Sequence, residues 1–187
     1  MRKLFLGAAA LIFVGLLAGC NHLTQYTLSE QEVNHYLQKH NDFQKQVGVP
    51  GVADARITLT DLSSQIGRAE PGKITLSGNA DIDVKSLFGK KKADMTLTLK
   101  ATPVFNKEEG AVYLKDLEVV SYTVQPEKMQ PVIDGLMPYL NQSLKSYFDQ
   151  KPAYVLSSDH SETEAMAKRL AKGLEVKPGE LVIPFTD

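Results

Sequence analysis

A chain of 187 residues with 43% hydrophobic and 23% charged positions is long enough for one domain with a substantial core. Its formal net charge is −1, and the 19 basic and 22 acidic residues left once Arg2 and Lys3 are set aside give −3. That balance argues against a nucleic-acid binder, which needs a concentrated basic face, and a single cysteine, Cys20, excludes an intramolecular disulfide.

The first twenty residues divide into three zones. Arg2 and Lys3 form a positive start, Leu4 to Leu17 an apolar stretch, and Leu17, Ala18, Gly19 and Cys20 a small-residue ending. This pattern predicts a secretory signal peptide over residues 1–19, with an apolar run shorter than the roughly 20 residues of a spanning helix. The ending resembles the lipobox of bacterial lipoproteins. The resemblance implies diacylglycerol on the Cys20 sulfur, cleavage before Cys20 and acylation of the new amino group. Acyl chains add about 0.8 kcal/mol per buried CH₂, so three of them make a firm anchor. Asn21, standing where an Asp commonly retains such proteins in the inner membrane, implies the outer membrane with the domain in the periplasm. Residues 20–27 read as the lipidated cysteine and a tether, and residues 28–187 as one domain.

Ser29 and Glu32 have capping-box spacing, and Val33, Tyr36, Leu37, His40 and Phe43 recur at steps of three and four. The spacing predicts an amphipathic helix of about four turns, ended by Gly48, Pro50 and Gly51. From Val52 the period becomes two. Ala55, Ile57 and Leu59 alternate with Arg56, Thr58 and Thr60. Ile74, Leu76, Ala80, Ile82 and Val84 share one face of the next run, and Ala93, Met95, Leu97, Leu99 and Ala101 share one face of the third. Strict alternation predicts antiparallel strands with one wet and one buried face. In residues 111–124 the phase slips twice, from Val112 and Leu114 to Leu117 and Val119 and back to Tyr122 and Val124, which predicts bulges that curl the sheet.

Residues 126–150 then predict the most apolar helix, with Pro126 in its first turn. Met129, Val132, Ile133, Leu136, Met137, Leu140, Leu144, Tyr147 and Phe148 lie on its stripe, and Pro138 is expected to kink it. A short strand near residues 153–156, a short helix opened by Ser161 and Glu164, and an extended tail turning at Pro178 and Gly179 complete the chain. The fold class is α+β: a long curved antiparallel β-sheet wrapped around a long C-terminal α-helix, the only element with enough apolar area to cover the sheet.

Motifs for chemistry are few. There is no G-x-S-x-G elbow and no H-E-x-x-H, and no cysteine is left for nucleophilic work. His35 and His40, five apart, do not share a helical face as i, i+4 ligands do; His22 falls in the tether and His160 in a polar loop. Neither a catalytic set, a metal site nor a cofactor site is expected, and the chain reads as a non-enzyme. Lys90, Lys91 and Lys92 follow Phe88 and Gly89 at an expected hairpin tip. They read either as a solvated turn or as a basic contact with anionic head groups or an acidic partner, at on the order of 1 kcal/mol per lysine near an anionic surface. Met95, Met129 and Met137 read either as core filling or as the lining of a groove left between strands and helix.

The lipobox, the segment from Gly48 to Ala55, the segment from Val124 to Gln130 and the ending from Val176 to Glu180 resemble the YceB-like lipoproteins over essentially the whole chain. The resemblance implies a small outer-membrane lipoprotein and a fold similar to the tubular lipid-binding (TULIP) domains. In those domains a curved sheet wraps a long helix around an apolar channel. It supplies no catalytic residues.

Two functions follow. The first is binding of a lipid or other hydrophobic ligand in a groove between sheet and long helix, lined by Leu97, Leu99, Val132, Ile133, Leu136, Met137, Leu140 and Tyr147; it needs an opening along that seam. The alternative is a non-catalytic interaction module that positions an envelope enzyme or assembly factor. It needs a filled core and an exposed patch around Lys90, Lys91 and Lys92. The expected partners are the membrane through the anchor, a hydrophobic ligand or an envelope protein, and no nucleic acid.

Overall fold

The computed structural model describes residues 24–49, 53–86 and 89–186; the signal peptide, Cys20, Asn21 and His22 lie outside them. In chain order the elements are β1 (Gln25–Ser29), α1 (Glu30–His40), β2 (Gln44–Val49), β3 (Ala53–Ile66), β4 (Ile74–Ser86), β5 (Gly89–Asn106) and β6 (Ala111–Gln125). A 3-10 turn (Glu127–Met129) leads into α2 (Gln130–Gln150), followed by β7 (Tyr154–Val155), α3 (Glu162–Leu170), β8 (Glu175–Lys177) and β9 (Glu180–Pro184). The class is α+β with antiparallel sheets. Six strands pair in the order β2-β3-β4-β5-β6-β7, and β1-β9-β8 form a smaller sheet.

The capping box at the start of α1 forms as its spacing predicts. Ser29 Oγ accepts from the Glu32 N–H at 3.3 Å, and the Glu32 carboxylate accepts from the Ser29 N–H at 2.8 Å. The helix is shorter than expected. It ends at His40, where the Asn41 side-chain amide donates to the Leu59 carbonyl at 2.7 Å, and Phe43 is buried from an extended segment that leads into β2. Residues 25–27, expected in the tether, are instead in β1, where Gln25 faces Pro184 and Leu28 faces Leu181. Both misreadings have one cause. β1 and β2 are short strands whose pattern is completed only by partners far along the chain.

The phase slips of β6 are structural. Opposite β5 the register shifts between Thr98 and Leu99 and between Lys100 and Thr102, and Asp116 takes a left-handed φ of 53°. A third shift, in β3 between Thr60 and Ser63, centres on Asp61 at φ 50°. It moves the buried set from Ala55, Ile57 and Leu59 to Leu62, Ser64 and Ile66. Gly78 of β4 packs closely there, since a Cβ on it would lie 3.1 Å from Leu62 Cδ2. Each bulge bends and twists its strand, so the strands coil.

This coiling lets one helix close the roll. α2 packs against β6 on one side and β2 on the other, two strands at or near opposite margins of the large sheet. It buries Ile133, Leu136, Leu140, Leu144 and Phe148. Pro131 sits in its first turn and Pro138 inside it, with the helix continuous through Pro138; Pro126 precedes the helix in extended conformation rather than opening it. Beyond Val112, the margin of β6 opposite β5 has no strand partner among the described residues and is covered by α2. Asn141 accepts there from the Val119 N–H at 3.3 Å, and Lys115 donates to the Asp149 carbonyl at 2.9 Å. Both sheets and all three helices contribute to one continuous apolar core. Among the described residues no helix is long and apolar enough to cross a membrane.

The molecule therefore has two ends. The small sheet attaches where β3 finishes, through the Gly179 N–H to the Ile66 carbonyl at 2.8 Å. β7 and α3 lie at the same end, since Tyr154 pairs with Val112 and the Lys168 side chain packs on Gly110. The other end of the large sheet, where Ser86 pairs with Gly89, lies about 40 Å away along the thirteen residues of β4.

Candidate functional site

Of the eight expected seam residues, Leu97, Leu99, Ile133, Leu136 and Leu140 are each no more than 3% exposed and belong to the continuous core. Side chains so enclosed leave no space a water molecule reaches, and none of the five lines a described cleft. The expected opening along the seam is absent at these positions. Their alternation and helical stripe reported burial correctly, but a pattern of that kind does not distinguish a filled core from a channel.

The other three reach the surface at separate places. Val132 is 37% exposed on the outer side of α2. Met137 borders a shallow groove of about 550 Å³ between β6 and α2, together with Val119, Val120, Tyr122, Asp134, Pro138 and Asn141. Tyr122 donates to Asp134 Oδ1 across it at 2.6 Å. Tyr147 lines a cleft of about 450 Å³ near the end of α1, with Tyr36, His40, Asp42 and Lys151. Its hydroxyl donates to Asp42 at 2.6 Å, and Lys151 Nζ donates to the other carboxylate oxygen at 3.0 Å. Burial first, and then this bond, push the Tyr147 phenol up to about 12. The Tyr147 hydroxyl first and Lys151 second hold Asp42 below the usual carboxylate range.

A neighbouring cleft of about 650 Å³ brings His35, His40 and His160 together with Tyr36 and Tyr154. Helical spacing alone did not suggest this grouping, because α1 meets the β7–α3 segment only in the fold. No metal-binding group is formed by these or other described residues. His160 Nδ1 lies 3.2 Å from Glu164, a buried carboxylate that accepts from the Tyr154 hydroxyl at 3.2 Å and the Ser157 N–H at 2.9 Å. Glu164 is thereby accounted for as a fastening of the chain before α3.

At the opposite end, the β4–β5 register makes Lys85 face Lys90, Val84 face Lys91 and Asp83 face Lys92. The β3–β4 register adds Arg56 opposite Asp83 and Asp54 opposite Lys85. These residues, with Gln46 of β2, line a cleft of about 440 Å³. Five cations stand there against two carboxylates, on a chain whose net charge is −1. Lys92 and Asp83 approach to 3.6 Å, with the lysine side chain 88% exposed. Like charges directly opposite each other across a strand pair disfavour the pairing, and neither Lys85 nor Lys90 has a carboxylate partner among the described residues. Sequence reading found Lys90, Lys91 and Lys92 but missed Arg56 and Lys85. The available signal was the hairpin pattern itself, since pairing Ser86 with Gly89 sets Lys85 across from Lys90.

Residues 28–180 match the family model described as "Protein of unknown function (DUF1439)". The chain is 67% identical over 183 residues to the "Uncharacterized lipoprotein YceB" of Escherichia coli (strain K12), covering 98% of each chain. It is 64% identical over 187 residues to the protein of that name in Salmonella typhimurium (strain LT2), covering 100% of each. A solved structure titled "Crystal structure of lipopolysaccharide binding protein" aligns with 87% of this chain and 49% of that one, at 11% identity and a TM-score of 0.35. The chain thus spans about half of that protein, and the likeness is too slight to assign a shared fold.

Proposed function

The chain belongs to the DUF1439 family, and from that membership we propose a membrane-anchored lipoprotein that acts as a non-catalytic interaction module, binding at its surface. Cys20 carries the lipid, Asn21 directs the protein to the outer membrane, and the domain faces the periplasm. The observation that carries this reading is the filled seam: Leu97, Leu99, Ile133, Leu136 and Leu140 are packed into one core. Surface complementarity is then the available means of recognition, and the lysine end is the most strongly charged cleft to supply it. The module positions an envelope enzyme or assembly factor and carries out no reaction of its own.

One observation favours a second reading, a lipid or hydrophobic ligand held between sheet and helix in a TULIP-like arrangement. The bonds described between α2 and the sheet margin are side-chain bonds, at Asn141, Lys115 and Tyr122, so an outward movement of α2 admits an acyl chain without breaking a strand ladder. Native mass spectrometry separates the two readings. It is made on the chain from Asn21 onward, which contains the whole described core, purified from the periplasm. A mass equal to the bare polypeptide, unchanged after incubation with phospholipids and fatty acids, is the expected outcome. A stoichiometric lipid that disappears in a Leu136→Gln, Met137→Gln variant would instead establish the second reading and remove the first.

A further inference from the structure

We infer that the cleft formed by Arg56, Lys85, Lys90, Lys91 and Lys92 is a binding site for a phosphate group, presented at the end of the domain remote from its membrane anchor. The inference rests on the reading of the protein as a surface-binding module and names the chemistry that surface takes.

Lys85 and Lys90 are held opposite each other by the β4–β5 ladder, a repulsive arrangement that Asp54, opposite Lys85 in β3, does not neutralise by an ion pair. Asp83 is shared between Lys92 and Arg56 as their cross-strand neighbour. Five cations over two carboxylates leave the cleft three charges positive. An anion seated there relieves that excess.

The shape selects among anions. The cations project from three adjacent strands around a cleft of about 440 Å³, so a ligand must accept from several directions at once. A phosphate offers oxygens all round, which several lysine ammonium groups engage as point charges while Arg56 supplies a planar fork. Lys91 stands apart from the others. It falls in register with Ala55 and Val84, on the face of the sheet opposite to that of Arg56, Lys85, Lys90 and Lys92.

Position defines the role. Tyr26, at the beginning of the described chain, lies near Tyr154 and Glu164 at the small-sheet end. Between Cys20 and Thr24 the chain spans at most about 15 Å, whereas the cleft lies about 30–35 Å along β4 from that end. A domain standing on its anchor therefore offers the cleft to phosphates beyond its own attachment point.

The test uses the chain from Asn21 onward with two probes, glycerol 3-phosphate in solution and vesicles of phosphatidylglycerol in phosphatidylcholine. Lys85→Glu combined with Lys90→Glu is compared with Lys107→Glu combined with Lys145→Glu, which makes the same charge change elsewhere. Circular dichroism checks that both variants are folded. The tip variant is expected to weaken vesicle binding by at least roughly thirtyfold, from about fivefold for each lysine lost at an anionic surface, and the control variant by much less. Asp83→Asn, which removes a competing carboxylate, is expected to strengthen binding. Tip-dependent binding of both probes, or of glycerol 3-phosphate alone, assigns the site to phosphate as such; tip-dependent binding of vesicles alone assigns it to a lipid head group. No binding of either probe, equal loss in the two double variants, or no gain with Asp83→Asn overturns the inference. The surface-module reading fails on a different result, a stoichiometric lipid in the native mass spectrum, so the two failures are distinguishable.

Discussion

Tyr147 shows how one side chain joins distant parts of the sequence. Its ring meets Phe43 and Phe148 edge-on at 5.2 and 5.1 Å between centroids, and its hydroxyl reaches Asp42. It thus ties the end of α2 to the connection between α1 and β2. Burial is the main reason the Tyr147 and Tyr26 phenols are both raised to about 12. Because these folded-state values lie above the ordinary value of about 10, the neutral phenols contribute their full stability below pH 10. That contribution is lost as pH rises from there through about 12. Urea unfolding followed across this alkaline range is expected to show falling midpoints, with a shallower fall in Tyr147→Phe. A midpoint flat up to the upper limit would show that neither phenol is linked to folding. The sequence marked Tyr147 as a stripe residue, but its tie to Asp42 spans 105 positions and has no local signature.

At the scale of elements, α2 and the four long strands β3 to β6 with their short neighbour β2 differ in how far they could be read in advance. Alternation located β4 and β5 because every second side chain of a half-buried strand must be apolar, and the two slips in β6 were visible as changes of parity. The second half of β3 was not, since the bulge at Asp61 transfers burial from odd to even positions and interrupts the pattern as a loop does. Lys90, Lys91 and Lys92 were legible as a charge run; Arg56 and Lys85 depended on register. α2 was legible as an apolar stripe, though not in the contrast between its packed and exposed members. That contrast has a measurable outcome. Leu140→Ala is expected to cost about 2–5 kcal/mol, as a buried large-to-small change does. Val132→Ala, on the exposed side, is expected to stay within about 0.5 kcal/mol. Chemical denaturation of the two variants decides it, and similar losses at both positions would mean that Val132 is covered in solution.

For the whole molecule, the shared core sets the cooperativity. The small sheet contributes Leu28, Leu181 and Ile183 to the same cluster as Leu97 of β5 and Leu140 of α2, so neither sheet has an interior of its own to survive on. Far-ultraviolet circular dichroism and the near-ultraviolet tyrosine signal are expected to report one coincident thermal transition; separated transitions would show that the small sheet detaches first. The covering of β6 by α2 has another consequence. A long strand margin with unpaired backbone groups is a template on which a second chain can add. Proteins held by lipid on a membrane surface meet one another at far higher local concentration than they do in solution. The helix that completes the interior thereby also guards each molecule against polymerising with its neighbours, and a protein of this build could be crowded on a membrane without forming fibres.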